Sequence, residues 1–385
     1  MANLLADLSV AGQLALRALG RRLRAETEPA PDLEEFTRQM QALLARAPDG
    51  VIRDYYWLEL SASQPPWIGS GLHLSKGEEV SYFISGRAYA NRLLDIYINT
   101  AMQIWCKVGA EGEVFRGTRC SHSFCATEDG ELQFGNYFPN DWEDRHGARK
   151  QDDSVHRDIS GDFKILVIRW TSDALTGLRT LRDLDTDQGM LSAEVSRLEQ
   201  GETTPPGWQY LWNLGPAEIY RPHSEAEHPN CIRCKTHGDV GILQKRVDLP
   251  LSDTSELSWR WCVDRLPSTL REDSVPSHDY LSIAVEFENG RDITYYWSST
   301  LPVGTGYDCP LPNWAGKEFH VVVRCGAEGL GQWQQERRNL YEDYRQYMGE
   351  PPARIVKVWL IANSLFQRGE GGCDYADIIV SNDAE

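Results

Sequence analysis

The sequence predicts a mainly β protein: two tandem β-sandwich domains of jelly-roll type, preceded by a helical hairpin and separated by a helical connector. Three observations predict it. Apolar residues alternate with polar ones over two long stretches, 50–171 and 206–385, which is the period of a pleated strand. Glycines at 77, 109, 112, 117, 130 and 135 punctuate the first stretch at turn spacing. Two other stretches, 3–47 and 172–205, switch to a period near 3.6.

Taken in order, Leu4, Leu5, Leu8, Leu14, Leu16 and Leu19 form a helical stripe over 3–25, closed by Arg21, Arg22 and Arg24. A second helix is expected over 30–47, started by Pro31-Asp32 and striped by Phe36, Met40, Leu43 and Leu44. Val80, Tyr82 and Ile84 share a strand face, and the run Phe163–Trp170 ends the first domain as a strong strand. Leu175, Leu178, Leu181 and Leu184, then Val195 and Leu198, make the connector helical until Gly201 and Pro205-Pro206. In the second domain Leu257, Trp259, Trp261 and Val263 share one face. Leu281, Ile283, Val285 and Phe287 share another, as do Ile293, Tyr295 and Trp297. One helix is expected over 333–348, and two strands, 354–362 and 375–381, close the chain.

The 385 residues carry 57 acidic and 39 basic side chains, a formal net charge of −18. A field of that sign repels nucleic-acid phosphates and anionic membranes, so no nucleic-acid partner is expected. No apolar run reaches spanning length. The start, with Asp7 and no basic residues, reads poorly as a signal peptide, so a cytoplasmic location with reduced thiols is expected for the nine Cys. A disulfide scaffold is the alternative. The 13 Trp and 16 Tyr suit strands and ring-stacking sites.

Four constellations bear chemistry. Arg260, Glu286, Tyr296 and Arg324 occupy the outward positions of second-domain strands and would converge on one polar sheet face if those strands are neighbours. Hydroxyl-rich ligands need such donors and carboxylate acceptors, and a solvated face with cross-strand ion pairs is the plainer alternative. The acidic loop from Asp141 to Asp158, including Asp152 and Asp158, offers the hard oxygens calcium takes, without regular ligand spacing. Cys231-x-x-Cys234-x-x-His237, with His223 and His228, invites a zinc reading, but a strand here would put the two Cys on opposite faces. Glu336-Arg337-Arg338-Asn339 with Asp343 would be carried on the helix, either anchoring it or forming a functional rim. The Gly-x-Ser-x-Gly elbow, the P-loop, the dinucleotide fingerprint and His-Glu-x-x-His are all missing.

Two resemblances rest on local motifs. Residues 66–171 resemble the galactose-binding bacterial lectin sandwich through Pro66-Trp67-Ile68-Gly69-Ser70-Gly71-Leu72, Lys76-Gly77-Glu78-Glu79-Val80, Ser85-Gly86-Arg87 and Ser160-Gly161-Asp162-Phe163. In that family a Tyr, an Asp and an Asn pair before the Ser-Gly help hold calcium. The resemblance sets Tyr89, Asp152 and Asp158 near those positions, with Asp158-Ile159 where the Asn pair would stand. Residues 206–382 resemble an uncharacterised bacterial domain family of unknown function. The carrying motifs are Leu257-Ser258-Trp259-Arg260-Trp261, His278-Asp279-Tyr280, Ile293-Thr294-Tyr295-Tyr296-Trp297 and Tyr375-Ala376-Asp377-Ile378. That resemblance implies a jelly roll and no activity.

The expectation is therefore a protein that binds a glycan or similar polar small molecule, with Arg260, Trp297, Arg324, Arg338 and Asn339 as ligand-binding residues. The alternatives are a lyase, hydrolase or cyclase using Glu286, Asp279 and Tyr296 as acid/base groups, or an assembly protein that forms a homo-oligomer through residues 3–25. Calcium at Asp152 and Asp158 is the one cofactor the sequence suggests.

Overall fold

A computed structural model describes residues 12–13, 16, 29–64, 67–92, 96–98, 100–137, 141–150, 156–184, 189–201, 203–225 and 228–382. Apart from residues 12, 13 and 16, the first expected helix, over 3–25, falls outside the described residues, as does Asp152. The chain divides into two compact units, one within 18–202 and one whose described sheets lie within 203–382.

The first unit opens on α1 (Leu33–Leu44), whose N-cap Asp32 accepts hydrogen bonds from the backbone N–H groups of Glu34 and Glu35. Its strands are β1 (Ile52–Ser61), β2 (Ile68–Leu74), β3 (Glu79–Gly86), β4 (Ala88–Asn91) and β5 (Ile96–Ile98). A short helix α2 (Thr100–Gln103) precedes β6 (Ile104–Val108), β7 (Ser121–Cys125), β8 (Gly130–Asn136) and β9 (Asp162–Trp170). A four-stranded sheet, β1-β9-β3-β7, faces a three-stranded one, β2-β8-β6. Leu60, Val80, Tyr82, Ile104, Phe134 and Ile165 fill the space between them.

The expected connector is two helices, α3 (Ala174–Arg182) and α4 (Met190–Gln200), and it does not hang free. Leu178, Leu181, Leu191 and Val195 pack with α1 on Phe83, Leu166, Ile168 and Trp170, the other face of the four-stranded sheet. The unit is thus three layers deep at β9. That explains why Phe163–Trp170 reads as a continuous apolar run: its strand is covered on both faces. Gly177 is required there, since a Cβ would overlap the Trp170 ring.

The second unit contains β10 (Gln209–Tyr210), β11 (Tyr220–His223), β12 (Cys231–His237), β13 (Val240–Pro250), β14 (Glu256–Arg265), β15 (Tyr280–Phe287) and β16 (Asp292–Ser298). It continues with β17 (Gly306–Asp308), β18 (Glu318–Cys325), β19 (Gln334–Asn339), helix α5 (Leu340–Met348), β20 (Arg354–Asn363) and β21 (Glu370–Ser381). A seven-stranded sheet, β10-β13-β20-β15-β16-β18-β17, packs on a five-stranded one, β11-β12-β21-β14-β19. All its ladders are antiparallel except β16–β18. Trp259, Trp261, Ile283, Tyr295, Trp297 and Leu360 lie between the sheets, on the faces the alternation predicts.

Two expectations need correction. Residues 334–339 are a strand, not the first turns of a helix; the helix begins after Asn339. The row Arg260, Glu286, Tyr296 and Arg324 is also not one outward face: Arg260 is exposed, Glu286 and Arg324 are partly buried, and Tyr296 is buried. Tyr296, Thr294 and Ser282 are fully buried, because Leu211, Leu214, Leu301 and Trp314 cover that face of the larger sheet with a second apolar layer. All nine cysteines are unpaired thiols. Among the described residues no helix is long and apolar enough to cross a membrane.

Candidate functional site

The covered face of the seven-stranded sheet holds a polar cluster. On β15, β16 and β18 the residues pointing to this face are Tyr280, Ser282 and Glu286; Asp292, Thr294 and Tyr296; Glu318 and His320. Loops add Glu272, His278, Asp279 and Cys309, all buried. The Tyr280 hydroxyl donates to Glu318 Oε1 at 3.0 Å, and the Thr294 hydroxyl donates to the same atom at 3.1 Å. His278 Nδ1 donates to the Glu272 carbonyl at 2.6 Å, and its Nε2 lies 3.5 Å from Cys309 Sγ. One ligand atom each from His278, Cys309, Glu318 and His320 fall within 4.8 Å of one another.

Burial, then the neighbouring His320, push the His278 imidazole down to about 3, so the ring is neutral. Burial and the adjacent Glu318 push Asp292 well up. At Glu318 burial acts the same way, but the adjacent His320 outweighs it and holds the carboxyl low. Asp279 is pushed up to about 7 by burial, against two backbone N–H donors, Gln367 at 2.6 Å and Phe366 at 3.0 Å.

The structure separates the expected acid/base trio. Asp279 stands seven residues before Glu286 along one extended segment, roughly 23 Å away. It ties down the loop of Phe366 and Gln367. Glu286 accepts from Lys357 Nζ at 2.7 Å and from the Trp359 indole at 2.9 Å. Tyr296 pairs with Ser282, four residues from Glu286, and accepts the Tyr307 hydroxyl at 2.9 Å. Two carboxyls so far apart cannot flank one bond.

The ligand-binding candidates scatter too. Trp297 is interior, and its indole donates to the Gly326 carbonyl at 2.9 Å. A register shift between Tyr296 and Trp297 sets Arg324 opposite Trp297, where it ion-pairs with Glu336 of β19. Arg338 donates to both Asp343 oxygens, at 2.8 and 2.6 Å. Asn339 is the N-cap of α5. Each is committed to the fold. Arg260 is on the other sheet, and it is exposed.

Arg260 does approach Asp377, a lining residue of an open groove of about 490 Å³ that runs along β11, β12 and β21. Trp208, Pro222, His223, Asn230, Lys245 and Asp377 line it. In the register of β14 with β21, Ser258 meets Ile379 and Arg260 meets Ala376, so Asp377 and Ile378 together oppose Trp259. This bulge holds Asp377 at φ 51°, a left-handed conformation costly for a residue with a Cβ. It turns the carboxylate out, where Arg260 Nε stands at 3.7 Å and His228 Nδ1 at 3.6 Å. The His228 ring in turn lies 4.1 Å from that of Trp333.

Cys231 and Cys234 lie three residues apart on one strand, β12, and so on opposite faces, not in a finger knuckle; Cys234 is in the core. A different trio, His223, Glu225 and Asp374, comes together near them, but Arg233 already bridges Asp374 and Glu225. In the first unit, Asp158 is exposed and outside both clusters of metal-ligating groups found among the described residues. The Arg92 and Arg87 guanidinium carbons lie 4.6 and 5.9 Å from the Tyr89 ring, which places positive charge beside that residue. Asp141 and Asp144 of the acidic loop are engaged by Arg149 and by backbone N–H groups of His146 and Ala148.

Sequence reasoning missed Cys309, Glu318, His320 and Asp377. Glu318-x-His320 carried a signal, since i and i+2 on a strand share a face. Cys309 carried none, because a separate segment brings it there.

Residues 213–379 match a family described as "Protein of unknown function (DUF3047)". No curated protein matches the chain. Among solved structures, the N-terminal domain of EclA, a PllA-like lectin, is 13% identical over 32% of this chain and 99% of its own, with a TM-score of 0.24. The xyloglucanase domain of NopAA, a type three effector from Sinorhizobium fredii, is 10% identical over 47% of this chain and 97% of its own, at TM-score 0.28. The catalytic domain of Humicola grisea Cel12A is 10% identical over 46% and 98%, at TM-score 0.25.

Proposed function

We propose that the second unit is a binding module for a glycan or similar neutral, hydroxyl-rich ring, seated in the groove beside Arg260. The observation that supports it is Asp377. A residue held in a left-handed bulge costs the fold on the order of 1–2 kcal/mol, which glycine would avoid. Its carboxylate is exposed and gains only solvent-screened ion pairs in return. What the bulge does achieve is to set a fixed acceptor at the groove's lip, within reach of Arg260 and beside the lining donors Asn230 and His223 and the apolar walls of Trp208 and Pro222. Sugars are held by that combination, with hydroxyls in hydrogen bonds and ring faces on apolar surface.

Asp377→Gly keeps the bulge and removes the carboxylate. Against a panel of neutral oligosaccharides, calorimetric titration should find a binder for the parent protein and an affinity at least ~10-fold weaker for Asp377→Gly, the loss of one charge-assisted hydrogen bond. Asn230→Ala should weaken it as well. The glycine variant should be as stable as the parent or more so. A panel without a binder, or variants that bind as the parent does, would sink the proposal.

A further inference from the structure

The cluster on the covered face of the larger sheet is distinct from that groove, and one of its members is out of place. His320 is fully buried, yet neither ring nitrogen makes a hydrogen bond. Leaving such a group unsatisfied costs about 1–3 kcal/mol. The nearest candidate, Glu318 Oε1, is 3.5 Å from Nε2 without hydrogen-bonding geometry, and it already takes the hydroxyls of Tyr280 and Thr294. His278 is also prepared for something. Its Nδ1–H is spent on a backbone carbonyl, which fixes the tautomer and leaves the Nε2 lone pair facing Cys309.

We propose that His278, Cys309, Glu318 and His320 form a closed tetrahedral site for a divalent metal of the zinc class. The donor set is two imidazoles, a thiolate and a carboxylate, which suits zinc and is too soft for calcium or magnesium. Spacing agrees. With metal–nitrogen and metal–sulfur bonds of about 2.0 and 2.3 Å, the edges of a tetrahedron are roughly 3.3–3.6 Å. The His278–Cys309 and His320–Glu318 pairs both stand at 3.5 Å. The supporting groups are those a metal site needs: the Glu272 carbonyl orients His278, and Tyr280 and Thr294 orient Glu318.

Four protein ligands leave no open position, and all four are buried, so the role is structural. His278 follows the turn Val275–Ser277 and Cys309 follows β17, whereas Glu318 and His320 are on β18. The metal would pin two covering segments to the sheet. Burial, then the neighbouring Glu318 carboxylate, keep the Cys309 thiol protonated, and a bound divalent ion reverses that.

The test uses the full chain without a polyhistidine tag. Elemental analysis should find close to one zinc per chain. Stripping it with a chelator should lower the melting temperature, and returning zinc should restore it. Cobalt in its place should give tetrahedral visible bands with a near-ultraviolet thiolate-to-cobalt band. Cys309→Ser should lose the thiolate band, and His320→Gln should lose the metal. His223→Ala, in the second group of metal-ligating side chains, and Cys231→Ser, a thiol outside both groups, should change neither. If His320→Gln does not fold, the Cys309→Ser spectrum decides alone. The site is refuted if neither purified nor zinc-reconstituted protein retains metal, or if the thiolate band survives Cys309→Ser and vanishes with Cys231→Ser.

Discussion

His122 illustrates how one ring can set the acid limit of a domain. It sits on β7, opposite Tyr82, with ring centres of Tyr82, Phe124 and Phe115 at 5.7, 6.2 and 6.3 Å. Its Nδ1 has no partner. Desolvation among these rings, then the nearby Arg197 charge, push the imidazole down to about 4. A folded value below the unfolded one means that the unfolded chain binds the proton first. Stability conferred by the neutral ring is therefore complete above the unfolded value near 6.5 and is lost as pH falls toward 4. The full loss is about 3 kcal/mol. Glu194, held below the usual carboxylate range by Arg197 in spite of burial, adds to the loss in the same direction. His122→Phe keeps the ring stack and removes the proton. Urea unfolding should show the variant gaining on the parent by about 2.5 kcal/mol between about pH 7.5 and about pH 4.5. A gap that does not change with pH would mean that the ring is not the acid-labile group.

At the scale of elements, the junction of β19 and α5 carries the clearest lesson about legibility. An apolar stripe at Leu340, Tyr344 and Tyr347 made the helix visible, but its start was set too early. Gln334–Asn339 has no apolar residue to reveal a strand period; its alternation is between polar side chains that point in and others that point out. Glu336 accepts from the Trp261 indole at 3.2 Å, and Arg338 reaches Asp343. The boundary was nevertheless written in the chain. Asn339 accepts from the Glu342 N–H at 2.9 Å, and Asn-x-x-Glu is a helix-start pattern. Asp343, nearly buried, also accepts the Tyr295 hydroxyl at 2.7 Å, which makes it the clasp between helix and core. Asp343→Ala would strand a half-buried guanidinium and a buried hydroxyl. It should cost about 3–5 kcal/mol in guanidinium unfolding, whereas Arg337→Ala, an exposed pair with Glu256, should cost less than about 1 kcal/mol. Equal costs would refute the clasp.

On the scale of the whole molecule, alternation located the intersheet core of the second unit at Trp259, Trp261, Tyr295 and Leu281, yet it could not tell which opposite faces are wet. Period two distinguishes one side from the other. It says nothing about the segments around Leu211, Leu301 and Trp314 that return to cover the larger sheet. Tyr296 is for that reason read as outward when it belongs to a buried layer, and Cys309 cannot be joined to His320 from the sequence at all. The two units also have separate cores, one in Leu60, Phe134 and Ile165 and the other in Trp259, Ile283 and Leu360. Their sensitivities are predicted to separate accordingly. His122 and Glu194 lie in the unit within 18–202, and the four metal-ligating residues lie in the other. Calorimetry of the intact chain should resolve two unfolding transitions. Mild acid should lower one, and zinc removal at neutral pH should lower the other, with His122→Phe protecting only the first and Cys309→Ser affecting only the second. One transition that answers to both treatments would show that the cores unfold together, and it would withdraw the assignment of each device to its own unit.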